Sequence, residues 1–139
     1  MKKRILYLLL ITMATLVISC QKSDSNPADT GQIVTSGTWK VTLFTDSGND
    51  ETVDFNGYTF TFSDGGTLTA VKSGVTKTGT WSVSSSSNKF NIDLGPKTDT
   101  NKPLGELTDD WKIISKSATE IRLTDDNATS NEFLTFTKN

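Results

Sequence analysis

Residues 60–69 read Phe60-Thr61-Phe62-Ser63-Asp64-Gly65-Gly66-Thr67-Leu68-Thr69. Apolar and polar side chains alternate on both sides of a short, glycine-containing break. A period of two marks a strand with one buried face, because successive side chains leave opposite sides of the backbone. Asp64-Gly65 is a hairpin signal, since both residues tolerate positive φ. The stretch predicts two antiparallel strands joined by a tight turn.

The same rhythm extends in both directions. Upstream, Trp39, Val41 and Leu43 alternate with Lys40 and Thr42, and Tyr58 continues the phase of Phe60. Downstream come Trp81 and Val83, then Phe90, Ile92 and Leu94, then Trp111 and Ile113. Ile121 and Leu123, then Leu134 and Phe136, complete the series. Threonine is frequent on the polar side, as suits a solvated strand face. Turn residues separate the runs at Ser47 to Asp50, Ser73-Gly74, Ser84 to Asn88, Gly95-Pro96 and Asp125 to Asn127. No segment carries a 3.6 period, so little or no helix is expected.

Eight strands follow, near 37–45, 57–63, 66–72, 75–83, 88–94, 109–116, 119–124 and 131–138. Short links make consecutive strands antiparallel neighbours. The fold class is all-β. A small eight-stranded antiparallel up-and-down barrel would remove the exposed edges; a two-sheet β-sandwich is the other solution. The longest connection, Gly95 to Thr108, is placed to cover one barrel mouth.

At 139 residues the chain holds one such domain. Its start has another character. Met1-Lys2-Lys3-Arg4 is basic, and Ile5 to Ile18 is almost wholly apolar. As a helix that run spans about 21 Å, short of the roughly 30 Å core of a bilayer. Basic flank, short apolar run and small terminal residue read as a cleaved export signal. Val17-Ile18-Ser19-Cys20 resembles the lipobox of bacterial lipoproteins. That resemblance implies lipidation of Cys20, with the thiol taking a diacylglyceryl group as a thioether. Residues 1–19 are then the signal peptide, and 20–36 the lipidated cysteine and a flexible tether. The domain occupies 37–139. Ile33 and Val34 are able to pair with a barrel edge, which leaves that boundary open by several residues. Gln21, and not aspartate, follows the cysteine, which points to the outer membrane; its face stays open. Two or three acyl chains make such anchoring stable where one is marginal.

Composition excludes several function classes. Of 14 basic side chains, Lys2, Lys3 and Arg4 leave with the signal. The mature part keeps 11 against 16 acidic, a net of −5. An acidic domain repels phosphate backbones, so no nucleic-acid partner is expected. There is no histidine, hence no usual general base or metal ligand. The Ser84 to Ser87 run has no base to activate it. No catalytic residue, metal or cofactor is therefore assigned. Asp46, Asp50 and Glu51 share a loop in no known calcium-site spacing and read as a solvated turn. Asp109-Asp110 and Asp125-Asp126 read as hairpin turn residues. Asn127-Ala128-Thr129 matches a glycosylation sequon that should carry nothing in a bacterial lipoprotein.

Gly37-Thr38-Trp39 at the first strand, FTFSDGGTLT at 60–69, Gly79-Thr80-Trp81 midway and a closing apolar strand resemble lipocalin-like domain lipoproteins of Gram-negative bacteria. The resemblance covers about residues 36–138 in order and rhythm. It implies that Trp39 plugs the closed end of the barrel, with a late arginine packed across its ring. Arg122 is the one arginine of the mature chain, yet its phase between Ile121 and Leu123 points it outward. With no histidine the expected role is non-catalytic, and if the domain binds a small molecule, an apolar or amphipathic one in the barrel is expected. Trp39, Tyr58, Phe60, Phe62, Trp81, Phe90, Trp111 and Phe136 face inward, either lining a ligand cavity or filling the barrel as core. An eight-stranded barrel is wide enough for either. Val75, Lys77 and Gly79 share the phase of Trp81; Gly79 would leave room beside that ring and Lys77 would stand at a mouth. A filled barrel acting through its surface in an envelope complex is the alternative, with a protein partner the sequence does not name.

Overall fold

The computed structural model describes residues 27–84, 86–127 and 129–139. The export segment and Cys20 lie outside them. A short helix, α1 (Pro27–Thr35), leads into β1 (Thr38–Asp46) and β2 (Asn49–Asp50). Then follow β3 (Thr59–Ser63), β4 (Thr67–Lys72), β5 (Val75–Ser84), β6 (Lys89–Asp93), β7 (Asp109–Lys116), β8 (Glu120–Thr124) and β9 (Phe133–Lys138). Single 3-10 turns sit at Thr52–Phe55, Asp99–Asn101 and Leu104–Leu107.

Eight strands close an antiparallel up-and-down barrel. β1 and β3 to β9 follow one another in the sheet, and β9 pairs back onto β1 from Trp39↔Lys138 to Thr45↔Phe133. The two-residue β2 adds to the far end of β1. The sandwich solution is thereby excluded. In the deciding hairpin Phe60 lies opposite Ala70 and Phe62 opposite Leu68, so the two apolar faces coincide. The turn itself differs from the reading of Asp64-Gly65. Ser63 pairs with Thr67, leaving a three-residue loop, and the left-handed positions fall on Gly65 and Gly66.

The two ends of the barrel differ. One carries the entry into β1, the β3–β4 turn and the C-terminus; α1 packs against β3 and β5 there. Thr30 and Val34, one helical turn apart, are fully buried. The Trp39 indole N–H donates to the Val34 carbonyl at 2.8 Å. The second half of the segment read as a flexible tether is thus structured. The pattern gave no sign of it because only one narrow stripe of α1 is buried, and tertiary packing supplies what propensity does not. Trp39 is fully buried at this end, as a plug. The cation over its ring is the Lys138 ammonium, 5.9 Å from the centroid. Arg122 points outward and is exposed.

β-bulges set which side chains enter the core. A register shift between Val41 and Leu43 turns Phe44 inward and Leu43 outward, because an extra residue reverses the alternation beyond it. Phe44, not Leu43, is therefore the core residue. A second shift between Ile113 and Ser115 turns Lys116 inward at the closed end.

The interior is filled by rings. Phe62 stands centrally, edge-on to Trp81, Phe90 and Phe136 at centroid distances of 5.4–5.7 Å. Phe60 meets Phe136 at 5.4 Å. Toward the other end Phe44 packs edge-on against Phe55 at 5.1 Å and Trp111 at 6.5 Å. Such edge-to-face pairs are favourable beyond the area they bury. Each indole N–H also has a carbonyl acceptor: Trp81 on Ser63 at 3.0 Å, Trp111 on Leu107 at 2.9 Å. The space expected beside Trp81 at Gly79 is absent. A Cβ there would lie 2.0 Å from the Asp93 carbonyl oxygen and 3.0 Å from the Leu94 side chain. The chain leaving β6 crosses directly over that glycine.

Candidate binding cleft at the open end of the barrel

Opposite α1, long connections replace tight turns. The β1–β3 seam consists of two pairs, Thr38↔Thr61 and Trp39↔Phe60. Beyond them the strands part, and the segment after β2 fills the opening. Asp50 accepts from the Thr52 amide at 2.9 Å, the Thr52 hydroxyl accepts from the Phe44 amide at 2.8 Å, and Phe55 is buried beneath. Asp50 is held below the ordinary carboxylate range by its hydrogen bonds from Thr52. Asp46 and Asp50 thus belong to a capped turn, as read from sequence, and among the described residues no acidic group converges on a metal site. The Gly95 to Thr108 connection covers another part of the mouth, burying Leu104 and Leu107.

Between these covers an opening persists. β4 and β5 run past the buried core: Ala70 sits opposite Lys77, and Lys72 opposite Val75, across a two-residue turn of Ser73 and Gly74 with positive φ. These four positions share the inward phase; Ala70 is buried in the core, whereas Lys72 and Lys77 are half-buried and Val75 is exposed beyond it. With Tyr58 and Leu104 they line a cleft of about 340 Å³. Its floor is apolar, from Ala70 and Leu104, and Val75 is 73% exposed at its lip. The Lys72 ammonium lies 4.8 Å from the centroid of the Tyr58 ring, a cation–π contact. Across Lys72 a second cleft of about 350 Å³ opens, lined by Glu51, Val53, Asp54, Lys102, Pro103 and Glu106. Within it Lys102 lies 3.7 Å from Glu106 and 3.8 Å from Asp99, while among the described residues Glu51 and Asp54 have no basic partner within 4.0 Å.

Other charged side chains at the open end stitch loops together. Asp109 and Asp110 open β7 instead of forming a turn; Asp109 takes Lys97 at 2.9 Å and Asp110 takes Lys89 at 3.1 Å. Lys89 also reaches Asp126. Burial opposes the charge of Lys97, but its hydrogen bond and attraction to Asp109 hold it above the ordinary lysine value. Burial, together with the hydrogen bond and charge of Asp46, raises the Glu132 carboxyl above its ordinary range against the pull of Lys97.

Of the aromatic residues singled out from sequence, Tyr58 alone borders the cleft. Trp39, Phe60, Phe62, Phe90, Trp111 and Phe136 are buried core, and Trp81 is half-buried in the wall. Lys77 stands at the mouth as its phase suggested. Val75 was placed in the same phase as Lys77, whereas Lys72 and Leu104 escaped notice. Lys72 continues the phase of Leu68 and Ala70, a signal available in the sequence; Leu104 had none.

No family model matches the sequence, and no curated protein matches it. Solved structures do match. A DUF4847 family protein from Bacteroides vulgatus ATCC 8482 has this fold. Its crystal structure agrees at a TM-score of 0.60 and 20% identity, over 79% of this chain and 97% of that one. The NMR structure of a protein from Burkholderia xenovorans agrees at 0.50 and 18%, over 82% and 88%. At these identities the likeness concerns the fold alone.

Proposed function

We propose that this chain is a lipid-anchored, non-catalytic, lipocalin-like module of the bacterial cell envelope that holds a small amphipathic molecule at the open end of its barrel. One observation carries the reading: the interior rings are closed on one another, whereas inward-phase side chains at the mouth line an exposed, partly apolar cleft. The reading therefore puts the ligand at the mouth and takes the inward aromatics as core, the second of the two roles the sequence left open. The absence of histidine from the whole sequence supports a non-catalytic role.

Anchoring rests on the lipobox at Cys20 and favours the outer membrane. From Cys20 to Pro27 the chain reaches at most about 25 Å. The chain enters the domain at its closed end, so the cleft faces away from the membrane. Two experiments test the reading. Cys20→Ala should leave the protein unlipidated and uncleaved by the lipoprotein peptidase, seen as loss of palmitate labelling and a product that keeps its signal; labelling and processing equal to the parent's would refute the anchor. The mature chain carrying Cys20→Ser, titrated with decyl maltoside below its micelle concentration, should show amide NMR shifts at Tyr58, Lys72, Val75 and Leu104. Shifts confined to Phe62 and its ring neighbours would place the ligand inside and refute the cleft.

A second reading is a filled barrel acting through its surface. Ile114 and Phe133, 45% and 40% exposed on the outer wall, favour it. It gains if the titration leaves the mouth silent.

A further inference from the structure

We infer that the molecule held at the barrel mouth is an anionic amphiphile, its charged oxygens met by Lys72 and Lys77 and its chain laid against Val75 and Leu104; this rests on the cleft reading above. The argument begins with where the lysines stand. β4 presents Leu68, Ala70 and Lys72 inward in succession, and β5 presents Val75 and Lys77. Inward phase near a barrel end is an unusual place for two ammonium groups in a domain of net −4 over residues 37–139. A lysine there normally lays its stem on apolar surface and sends its charge to a carboxylate or to water.

Here no carboxylate takes either one. Lys89, Lys97 and Lys102 each have an acidic partner within 4.0 Å, but among the described residues neither Lys72 nor Lys77 has one. Glu51, Asp54 and Glu106 line the adjoining cleft, where Lys102 answers Glu106. Lys72 instead lies over the Tyr58 ring, and the Lys77 ammonium lies 3.6 Å from where a Cβ on Gly95 would be. Both lysines border one cleft whose remaining lining is Tyr58, Ala70, Ser73, Val75 and Leu104, apolar but for the Ser73 and Tyr58 hydroxyls. Two uncompensated cations beside an apolar strip match a molecule with an anionic oxygen head and a hydrocarbon tail. A neutral amphiphile leaves both cations unanswered, and a cationic one is repelled.

The test uses the mature chain carrying Cys20→Ser and three ten-carbon probes below their micelle concentrations: decanoate, decyl maltoside and decyltrimethylammonium. Binding is followed by the amide shifts of the cleft residues. Decanoate should bind about tenfold more tightly than decyl maltoside, as expected when a charge-assisted contact is added. Its affinity should fall as salt is raised. Lys72→Gln with Lys77→Gln should erase that preference while leaving decyl maltoside binding within about twofold. Lys40→Gln with Lys112→Gln removes the same charge from the outer wall and should leave the preference intact. Equal affinity for decanoate and decyl maltoside overturns the inference while the cleft reading stands. Equal loss in the outer-wall variant also overturns it, since net charge would then explain the preference. Silence of the cleft toward all three probes overturns both.

Discussion

Gly79→Ala adds one methyl group to the middle of β5, and the structure fixes the sign of its effect. The added Cβ would lie 2.0 Å from the Asp93 carbonyl oxygen, with the Asp93 carbonyl carbon and the Leu94 side chain each at 3.0 Å. The nearest obstacle is backbone, so no rotamer change relieves it. The chain leaving β6 must retreat by about 1 Å, while Leu94 is anchored in the core and its amide donates to the Thr108 hydroxyl at 2.9 Å. Overpacking of this kind costs about 3 kcal/mol, the upper end of its usual range. Replacing glycine in a strand interior returns about 0.5–1 kcal/mol of backbone entropy. The net is about 2 kcal/mol of destabilisation, or a Tm lower by about 8–10 °C for a domain of this size. Urea and thermal unfolding followed by circular dichroism measure it. The control is Gly31→Ala in α1, where an added Cβ meets nothing within 4 Å; alanine there should stabilise by up to about 1 kcal/mol. A Gly79→Ala protein as stable as the parent would refute the close crossing of β6 over β5.

Three further outcomes follow from individual contacts. Trp39→Phe removes the donor to the Val34 carbonyl inside the closed end and should cost about 2–3 kcal/mol, read by urea unfolding; a loss under 0.5 kcal/mol would mean α1 does not dock on that ring. Thr30→Val should instead stabilise by about 1 kcal/mol, because the Thr30 hydroxyl is buried without a hydrogen-bond partner among the described residues and valine replaces it at about equal volume. Glu132→Gln should raise Tm at pH 7 and lose that advantage toward pH 4. The folded carboxyl titrates above its unfolded value of 4.5, so its protonated form favours the fold, and that contribution is present at low pH and lost as pH rises through the raised value. A Tm difference independent of pH would refute it.

Much of the barrel was legible because its rule is local. Alternation at Phe60 and Phe62, Phe90 and Ile92, and Ile121 and Leu123 survives folding unchanged, and the Ser47-Gly48 and Ser73-Gly74 turns carry the positive φ their residues invite. What escaped was set by non-local geometry. The bulge after Val41 exchanges Leu43 for Phe44 in the core, and nothing in the order of residues 38–46 marks where an extra residue will be absorbed. α1 escaped because its buried stripe is Thr30 and Val34, too narrow for a periodic signal. Gly79 was read as making room, and it does, but for the backbone of Asp93. The cleft was half legible: phase placed Lys77 at a mouth, but which end of the barrel stays open depends on where Phe55 and Leu104 settle.

The filled interior and the open mouth are linked by the same geometry. An eight-stranded barrel has a fixed, narrow bore that side chains alone can fill. Here the bore receives phenylalanines and tryptophans from almost every strand, and α1 with Trp39 stops one end. Rings that meet edge-on at 5.4–5.7 Å leave each other no second arrangement without a cavity, and opening one by truncating Phe62 would cost about 3–5 kcal/mol. A ligand entering that core would have to supply comparable free energy before any binding appeared. At the mouth no such cost arises, because Val75 and Lys72 already face solvent and a ligand displaces only water. On the proposed reading, recognition sits at the rim, where the open-end residues of β4 and β5 carry Lys72 and Lys77, which no carboxylate among the described residues approaches within 4.0 Å.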